Sequence, residues 1–580
     1  MRPATPQRVL VIGDDTRSFL ATVRSLGRQG LEVHAAPYGL GSPALRSRYI
    51  HKTHLLPYYL DGGAQWLECI RRLIVNEGIA LVIPCEERSL LPLFRHQDAL
   101  PAGCVLAIPD APALEAFFDK VRTRSLAAAQ QVPTPKGYEL TEHTRAADVA
   151  AQLQFPVIAK YRQSYSWPEL YVRTGVTILP SEPELQAWLD KHRDQAGLMF
   201  VEQMCPGVGI GVSVLCDQGR VLQAFEHHRA HELDGSSYYR KSAPLHDARV
   251  AAVARMCAAI GYTGIAMFEF KLDEASGDWV LLEVNARPWG SLPLPVALGV
   301  DFPYRLYRLL VHKEATPAVP YRVGVYGRNL VADIWQLRVL LPRLRGSKLV
   351  LLGQLLTWLG SLGRILIGRE HQDVLVLDDW RPGVLELRQF FAERWQGLRG
   401  KPQLARNPAF AAGGAGLRRS DGAPLSVVFV CQGNICRSPY AEHKMRQLAQ
   451  AAGLPLHIAS AGMLPRNRRP SPASAQAAAA RRGVPLDTHL SQHAHEALLQ
   501  QADVIVIFDL INQHSVLTRH PALAARLCYL DEFSPGAGPV EEIADPDGRD
   551  GAVFDAIYSH IDRSLQGLVE RLRRPTDSHA

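Results

Sequence analysis

The sequence predicts an α/β protein built from several domains. The chain has 580 residues, which is too long for a single hydrophobic core. Short apolar strands alternate with helical patterns between Arg8 and Pro84 and again from Val427 onwards. Such alternation is typical of parallel sheets covered by helices. At about residue 113 the pattern changes, so we expect a separate α+β domain between the two parallel sheets.

Composition and charge limit the function classes. The composition is ordinary for a globular protein, and a net charge of +7 is small for this length, so nucleic acid is not an expected partner. The nine cysteines are scattered and form no repeated C-x2-C pair, which argues against both a disulfide framework and a zinc site. No secretory signal is visible at the amino end. We therefore expect a cytoplasmic location.

Residues 1–112 are predicted to form a Rossmann-like domain that carries substrate contacts. Its first turn, Gly13 to Thr16, lacks the G-x-G-x-x-G spacing, so dinucleotide binding is not predicted there. Glu86 and Glu87 follow directly after a strand and would lie at the carboxyl edge of the sheet. The predicted elements are strands at Arg8–Gly13, Leu31–Ala35 and Ala80–Pro84 and a helix at Thr16–Gly30.

Basic and acidic side chains at strand and helix ends mark residues 113–312. Lys120 opens a helix and Lys160 ends a strand, so two lysines on separate elements can neutralise nucleotide phosphates. Glu202, at the end of the strand Leu198–Gln203, can meet an adenine or ribose edge. These residues predict a nucleotide site, although a lone lysine at a strand end is more often a solvated charge.

Carboxylates inside two later strands predict a metal site. Glu269 lies within Ala266–Lys271, and Glu283 and Asn285 lie within Val280–Pro288. An unpaired carboxylate is costly to bury in an apolar strand. Glu283 and Asn285 are two positions apart on a strand and point to the same face. Hard oxygen ligands of this kind suit Mg²⁺, with nucleotide phosphates completing the coordination.

In this order, the motifs of residues 113–312 resemble the ATP-grasp superfamily, of the carbamoyl-phosphate-synthase-like ligase type. The resemblance implies ATP and Mg²⁺ as cofactors, and Arg287 beside the metal face as a further ATP-binding residue. It also implies a ligase that joins a carboxylate to an amine through an acyl phosphate. Arg240 and Lys241 are candidates to hold the transferring phosphoryl group or the acyl substrate. The same segment contains His227, His228 and Arg229, and for each of these residues the alternative is a plain surface charge. The loop after Lys160 is not rich in glycine, which departs from the family pattern.

Residues 313–399 are predicted to be a helical extension packed on this domain. The segment 330–367 is apolar with interspersed basic residues, and its charge-poor part is too short for a comfortable membrane span. The alternative is a basic amphipathic element in peripheral contact with an anionic membrane surface. Residues 400–424 are rich in Gly, Ala, Pro and Arg without periodicity, which predicts a linker.

The stretch from Val427 to Glu442 carries the most specific pattern in the chain. An apolar strand ends at Cys431, and Arg437 follows six positions later at the start of a helical pattern. Backbone N–H groups that converge before a helix N-terminus form an anion site, and this positive field favours the thiolate of Cys431. Gly433 allows the backbone to approach the ligand. The arrangement suits attack by sulfur on a phosphoryl group held by the Arg437 guanidinium.

Residues 425–575 resemble the low molecular weight protein tyrosine phosphatases. The resemblance includes Ser460–Gly462, Gly483–Ser491, Asp509 and Asp545-Pro546, and it implies a flavodoxin-like, doubly wound parallel sheet. It makes Cys431 the nucleophile, Arg437 the phosphoryl-binding cation and Asp545 the general acid, with no cofactor. The remaining phosphate-binding loop residues are Gln432, Gly433, Asn434, Ile435, Cys436 and Ser438.

Two variable positions of this family bear on specificity. An aliphatic Ile435 is typical of the tyrosine-specific members, whereas the phosphoarginine-specific members have Thr there, so a phosphotyrosine protein is the expected substrate. Asp547 and Gly548 stand where many members carry aromatic residues.

Cys436 could pair with Cys431 under oxidation. Two alternatives stay open: the ATP-grasp part could be a non-catalytic nucleotide sensor that gates the phosphatase, or the phosphatase could act on a small-molecule phosphate.

Overall fold

The chain divides into two compact units. The computed structural model describes residues 7–165, 167, 170–171, 175–233, 236–343, 356, 358, 360, 362–398, 404–410, 417, 419, 421–536, 538–549 and 551–573. One unit comprises Met1–Tyr38, Ser42–Leu56 and Leu67–Phe391; the other comprises Gly39–Gly41, Pro57–Trp66 and Ala392–Ala580. About half of the predicted linker, 400–424, lies outside the described residues, and the domain boundaries proposed from sequence stay predictions.

The amino-terminal part forms a five-stranded parallel sheet in the order β3-β2-β1-β4-β5. Because the chain moves outward from β1 first to one side and then to the other, the edges after β1 and β4 flank the switch point, where ligands bind in such sheets. The strands are β1 (Arg8–Ile12), β2 (Glu32–Ala36), β3 (Ile50–Thr53), β4 (Ile79–Pro84) and β5 (Val105–Leu106). The helices are α1 (Ser18–Arg28), α2 (Ala64–Glu77), α3 (Glu87–Arg95) and α4 (Ala111–Phe118).

Two antiparallel sheets follow. The smaller has four strands in the order β6-β9-β7-β8, and the larger has seven in the order β14-β13-β10-β11-β12-β15-β16, in which only the last pair is parallel. The smaller sheet contains β6 (Gly137–Glu139), β7 (Val157–Tyr161), β8 (Val176–Leu179) and β9 (Met199–Gln203). The larger contains β10 (Val208–Asp217), β11 (Arg220–Leu233), β12 (Ser236–Ala243), β13 (Gly264–Leu272), β14 (Trp279–Asn285), β15 (Tyr326–Arg328) and β16 (Glu370–Gln372).

Helices cover both antiparallel sheets. The core of the larger sheet is formed by β-branched and aromatic side chains such as Val212, Val214 and Phe268, packed against Val253 and Met256 of a helix. The helices of this region are α5 (Lys120–Ala129), α6 (Ala146–Ala150), α7 (Glu182–Lys191), α8 (Asp247–Ala259), α9 (Pro293–Ala297) and α10 (Phe302–His312).

The predicted extension contributes helices α11 (Leu330–Arg343) and α12 (Arg381–Leu398), and it also adds β15 and β16 to the larger sheet. Buried ion pairs hold it there: Arg240 contacts Asp373 through both guanidinium nitrogens at 2.9 and 2.6 Å, and Arg24 bonds Asp379 at 2.9 Å. Arg240 therefore serves this interface, and its candidate role at a phosphoryl group is wrong. Residues 344–355 of the proposed membrane element lie outside the described residues. Among the helices that are described, none combines the length and apolar character of a membrane span.

The buried pair between Arg240 and Asp373 predicts a large loss of stability on truncation. Replacing Asp373 with alanine leaves a fully buried guanidinium without its carboxylate, which we expect to cost about 3–5 kcal/mol of unfolding free energy. Asp378→Ala is the matched control, because Asp378 is 44% exposed and pairs with Arg28 at the surface, where the cost is at most about 1 kcal/mol. Denaturant unfolding of the full chain compares them; equal losses would contradict the prediction.

The second unit contains a four-stranded parallel sheet in the order β18-β17-β19-β20. Helices on both sides make it doubly wound, so the predicted fold class is confirmed. The strands are β17 (Leu425–Cys431), β18 (Leu456–Gly462), β19 (Val504–Ile507) and β20 (Leu527–Tyr529). The helices are α13 (Arg437–Ala452), α14 (Ala473–Ala480), α15 (Glu496–Gln501), α16 (Leu510–Arg519) and α17 (Gly551–Arg573).

Candidate active sites

Cys431 lies where the topology of the second sheet favours ligand binding. It is the last residue of β17, which has β18 on one side and β19 on the other. The chain leaves β17 for one edge and later returns to the other, so Cys431 stands at the switch point and at the carboxyl edge. The loop that follows ends at Cys436, directly before α13. Its N–H groups and the N-terminus of α13 make this edge an anion-binding site.

The thiol is buried and surrounded by donors. Cys431 is 3% exposed, and its Sγ lies 3.0 Å from Ser438 Oγ. The backbone N–H of Asn434 donates to the same sulfur over 3.3 Å. Donors that converge on a sulfur stabilise its thiolate, which is the nucleophilic form.

Asn434 fixes the shape of the loop. Its backbone has φ of +52°, which asparagine tolerates better than most residues. The side-chain Nδ2 donates to Ser438 Oγ at 2.9 Å and to Ser460 Oγ at 2.8 Å, while Oδ1 accepts from Gln492 N at 2.9 Å. His489 Nε2 donates to the Asn434 carbonyl oxygen over 2.8 Å. Every polar atom of this buried residue therefore holds the loop or its serines.

Arg437 connects the loop to two acidic residues. Its NH1 donates to Asp509 and, at 2.9 Å, to the Ile543 carbonyl oxygen, and its NH2 donates to Asp545 Oδ2 at 2.6 Å. Nε has no partner among the described residues and is a remaining donor for a phosphoryl oxygen. Although burial alone would lower the pKa of Arg437, the charges of Cys431, Asp545 and Asp509 raise it. The side chain of Asp545 is 43% exposed and is therefore accessible from solvent.

The other predicted loop residues lie in the same structure. Gln432 Nε2 donates to Ser515 Oγ at 3.0 Å, and Ile435 is buried beside Gly433. Cys436 is buried in the core, and this burial raises the pKa of its thiol, so Cys436 stays protonated at neutral pH. The two cysteines therefore differ in surroundings although they share one loop.

Gly462 supports the loop from below, and its replacement is expected to impair the site. A Cβ there would lie 2.9 Å from backbone atoms of Gln432, Gly433 and Asn434, so Gly462→Ala must displace the loop. A displacement of about 1 Å can cost about 100-fold in rate. We expect that loss in kcat/KM on an aryl phosphate, with native thermal unfolding. Gly551→Ala, at a position with open space, is the control; equal activity of the two variants would contradict the role of Gly462.

In the first unit, the predicted nucleotide residues form one cluster. Lys160 on β7 contacts Glu202 on β9, a diagonal neighbour across the sheet. Arg124 donates to Glu202 at 3.2 Å, and Lys120, at the start of α5, donates to Ser164 Oγ at 3.1 Å. Glu202 is buried. Basic groups from two elements thus converge on one carboxylate.

Glu269 and Glu283 face each other across β13 and β14. They occupy paired positions in the register, and Asn285 Nδ2 donates to Glu283 Oε1 at 3.3 Å. Burial acts to raise the pKa of Glu283, but the charges of Lys120 and Lys160 outweigh it and lower the pKa. Burial raises the pKa of Glu269, although its partner Arg229 opposes this. Glu269 and Glu283 are adjacent, half-buried carboxylates, and oxygen ligands of this kind suit a divalent cation such as Mg²⁺.

A polar cavity of about 390 Å³ opens over this pair. One wall of the cavity is formed by Glu269, Glu283, Asn285 and Arg287. The other wall includes acidic residues that follow β1 and β4, namely Asp14, Asp15, Glu86 and Glu87. Arg287 NH2 bonds Glu87 Oε1 over 3.1 Å. The switch-point edge of the amino-terminal sheet and the strands β13 and β14 therefore line the same cavity.

Arg124 is a site residue that was missed in the sequence. It donates to Glu202 at 3.2 Å, and it carries no local signal, because basic residues on helices are usually exposed. Asp509 and Arg229 were named in the sequence, and the structure gives each a partner: Asp509 accepts from Arg437, and Arg229 contacts Glu269.

Comparison with known proteins identifies both parts of the chain. The family model "Low molecular weight phosphotyrosine protein phosphatase" matches residues 426–578, and "ATP-grasp in the biosynthetic pathway with Ter operon" matches residues 195–329. The probable phosphatase EpsP of Ralstonia nicotianae is 30% identical over 149 residues, 26% of this chain and 96% of the relative. Low molecular weight protein-tyrosine phosphatase A of Mycobacterium bovis is 36% identical over 161 residues, with the same coverage.

A solved structure similar to the first unit is the biotin carboxylase domain of Hydrogenobacter thermophilus 2-oxoglutarate carboxylase, at 18% identity and TM-score 0.45, covering 55% of this chain and 73% of that chain. The fold and sites define a chain that joins an ATP-grasp domain to a phosphatase domain. Through residues 426–578 it belongs to the low molecular weight protein tyrosine phosphatase family. The resemblances seen in the sequence are confirmed.

Proposed function

We propose that the second unit hydrolyses phosphotyrosine in protein substrates through a phospho-cysteine. The observation that carries the proposal is the convergence of the Asn434 N–H and Ser438 hydroxyl on Cys431 Sγ, beside the guanidinium of Arg437. Cys431 Sγ attacks phosphorus, and the bond to the tyrosine oxygen breaks. The loop N–H groups and Arg437 bind the phosphoryl oxygens, whose charge increases in the transition state.

Asp545 supplies the proton transfers of both steps. Its Oδ2 lies 2.6 Å from Arg437 NH2, so its carboxyl stands beside the group that would bind phosphate. Asp545 in its protonated form gives its proton to the leaving oxygen. The resulting carboxylate takes a proton from water, which attacks phosphorus and releases phosphate and the Cys431 thiolate.

Ile435 supports the tyrosine preference. It is buried against Gly433 in the loop, and an aliphatic residue at this position is typical of the tyrosine-specific members that the loop resembles. Initial rates on matched phosphotyrosine and phosphoarginine peptides test this. We expect faster hydrolysis of the phosphotyrosine peptide and a reduced preference in Ile435→Thr. Faster hydrolysis of phosphoarginine by the wild-type chain would overturn the assignment.

We propose that the first unit is an ATP- and Mg²⁺-dependent ligase that joins a carboxylate to an amine. Glu269, Glu283 and Asn285 would hold Mg²⁺, which supplies charge neutralisation of the nucleotide phosphates when bound. Lys120, Lys160 and Arg287 bind and orient phosphate groups, and Glu202 orients the nucleoside. The observation that supports this function is the cavity in which the metal strands face Asp14 and Glu87 of the amino-terminal sheet.

A substrate screen tests the ligase proposal. ADP release from Mg-ATP is measured while carboxylates and amines are offered singly and in pairs. We expect ADP release only when a carboxylate is present and condensed product only when an amine is added. ATP binding without turnover in any combination, together with phosphatase activity that changes with ATP, would overturn the ligase in favour of a nucleotide sensor.

A further inference from the structure

Histidines and glutamates gather at the outer edge of the amino-terminal sheet, and none of them lines the cavity that contains Glu269 and Glu283. Glu32 and His34 are two positions apart on β2 and point to the same face. His51 lies on the edge strand β3, His54 directly follows it, and Glu77 is the last residue of α2. Three elements therefore bring five metal-ligating side chains to one place.

The potential ligand atoms of this cluster are slightly farther apart than the ligands of a bound metal ion. The cluster contains two triads of potential ligands, and within each triad the ligand atoms lie within 4.8 Å of one another. The first triad is Glu32, His34 and His51, and the second is His34, His54 and Glu77. His34 Nδ1 is 3.0 Å from His54 Nε2, and the two rings stack with centroids 5.2 Å apart. Ligands about 2.0–2.1 Å from one zinc ion stand about 3.4 Å apart, so small side-chain movements complete either triad.

His34 is the common member, and its hydrogen bonds are incomplete. The residue is 1% exposed, and its Nε2 has no partner in the part of the chain that the structure describes. Whichever tautomer His34 adopts toward His54, one buried ring nitrogen stays unsatisfied, which is costly. Burial, followed by the charge of His54, lowers the pKa of His34 to about 4, and burial also lowers the pKa of His54. Both rings are therefore neutral at pH 7, with lone pairs available to a metal.

We propose that this cluster binds one zinc-type divalent cation, with His34 as the common ligand. Imidazole and carboxylate are ligands that Zn²⁺ accepts and that Mg²⁺ seldom uses in this combination. Arg8 bonds Glu32 through Oε2 at 2.7 Å and Lys52 bonds Glu77 through Oε1 at 2.5 Å, so each carboxylate has a second oxygen to offer. The C-terminus of α2, beside Glu77, favours a cation.

The cation would tie the edge strand to the rest of its sheet. The ligands come from β2, from β3 and its following loop, and from the end of α2, so binding holds the outermost strand in place. The scattered cysteines argue against zinc only where cysteine is the ligand, and this site uses none. It also shares no residue with the cavity that contains Glu269 and Glu283.

Zinc titration of the full-length protein tests the proposal. All proteins carry Cys431→Ser, which removes the reactive thiolate as a zinc ligand, and excess Mg²⁺ fills the carboxylate site. His51→Ala and His54→Ala are compared with His143→Ala, a control whose side chain is 87% exposed in the same unit. We expect one zinc equivalent in the control and a loss of affinity of about tenfold or more in His51→Ala or His54→Ala, which identifies the triad.

Thermal unfolding gives a second readout on the same proteins. Zinc is expected to raise the unfolding temperature of the control and to do so less in the variant that has lost affinity, because only a ligand of the folded state stabilises it. The proposal is overturned if the control binds no zinc, if both histidine variants bind zinc as tightly as the control, or if Mg²⁺ displaces the zinc at comparable concentration.

Discussion

Cys431→Ser is expected to abolish phosphatase activity. The hydroxyl has nearly the volume of the thiol and keeps the contact to Ser438, but it is not ionised at neutral pH and cannot form the phospho-cysteine. Loss of a nucleophile from a site that depends on it costs about 10³-fold or more in kcat. The measurement is hydrolysis of a phosphotyrosine peptide and of an aryl phosphate by the full chain. Retained activity would show that the loop binds an anion without reacting with it.

Asp545→Asn is expected to slow the reaction by about 10²- to 10⁴-fold, the usual contribution of a general acid. The loss should be larger for phosphotyrosine than for an aryl phosphate with an acidic phenol, because only the poorer leaving group needs its proton. Asp547→Asn is the matched control, since Asp547 is exposed and contacts Asp545 only through its backbone N–H. If both variants lose the same activity, or if leaving-group acidity makes no difference, Asp545 is not the acid.

Much of the phosphatase site could be predicted because its parts are adjacent in sequence. Cys431 and Arg437 enclose the loop, and the strand before and helix after it have strong patterns of their own. Asp545 is different: it lies 108 positions after Arg437, and only its place in a resembling family suggested the contact that the structure shows. Residues that are adjacent in sequence identify the loop, whereas the tertiary fold determines which distant carboxylate contacts it.

The basic residues of the first unit show where sequence reasoning reaches its limit. Arg240 and Arg229 both lie between Glu202 and the strands that carry Glu269 and Glu283, and neither has a sequence pattern that separates their roles. The fold pairs Arg240 with Asp373, 133 positions later, and brings Arg229 to Glu269. The order of charged residues along the chain indicates that a buried arginine needs an acidic partner, but it does not indicate which acidic residue that partner is.

The two-layer arrangement of the cavity was predictable only in part. The strand patterns place Glu86 and Glu87 at a carboxyl edge, and Glu269 and Glu283 inside strands. That these two sets form opposite walls of one cavity depends on how the sheets pack, as does the bond between Arg287 and Glu87 across 200 positions. The sequence motifs therefore predict the residues of each wall, and only the structure shows that the two walls enclose one cavity.

Glu283→Gln is expected to remove most of the effect of Mg²⁺ on ATP binding. Glu283 faces Glu269 across the strands, and its pKa is lowered by Lys120 and Lys160, so it is the carboxylate that stays ionised and available to a cation. Glutamine preserves size and the contact to Asn285 but removes the charge. We expect Mg²⁺ to tighten ATP binding to the wild-type chain, and about tenfold or more of this gain to be lost in the variant. Calorimetric titration with and without Mg²⁺ measures it without knowledge of the second substrate.

Glu274→Gln provides the control, because Glu274 belongs to the same hairpin but is exposed in the turn between β13 and β14. It changes net charge by the same amount at a short distance from the site, so a general electrostatic effect would appear in both variants. If the Mg²⁺ effect is lost in Glu283→Gln and kept in Glu274→Gln, the Mg²⁺ site lies on the paired strands β13 and β14. An unchanged Mg²⁺ effect in Glu283→Gln would mean that ATP carries its magnesium elsewhere. Glu269 and Glu283 would then be compensated by Arg229 and the nearby lysines without a metal, and the ligase proposal would lose its Mg²⁺ site.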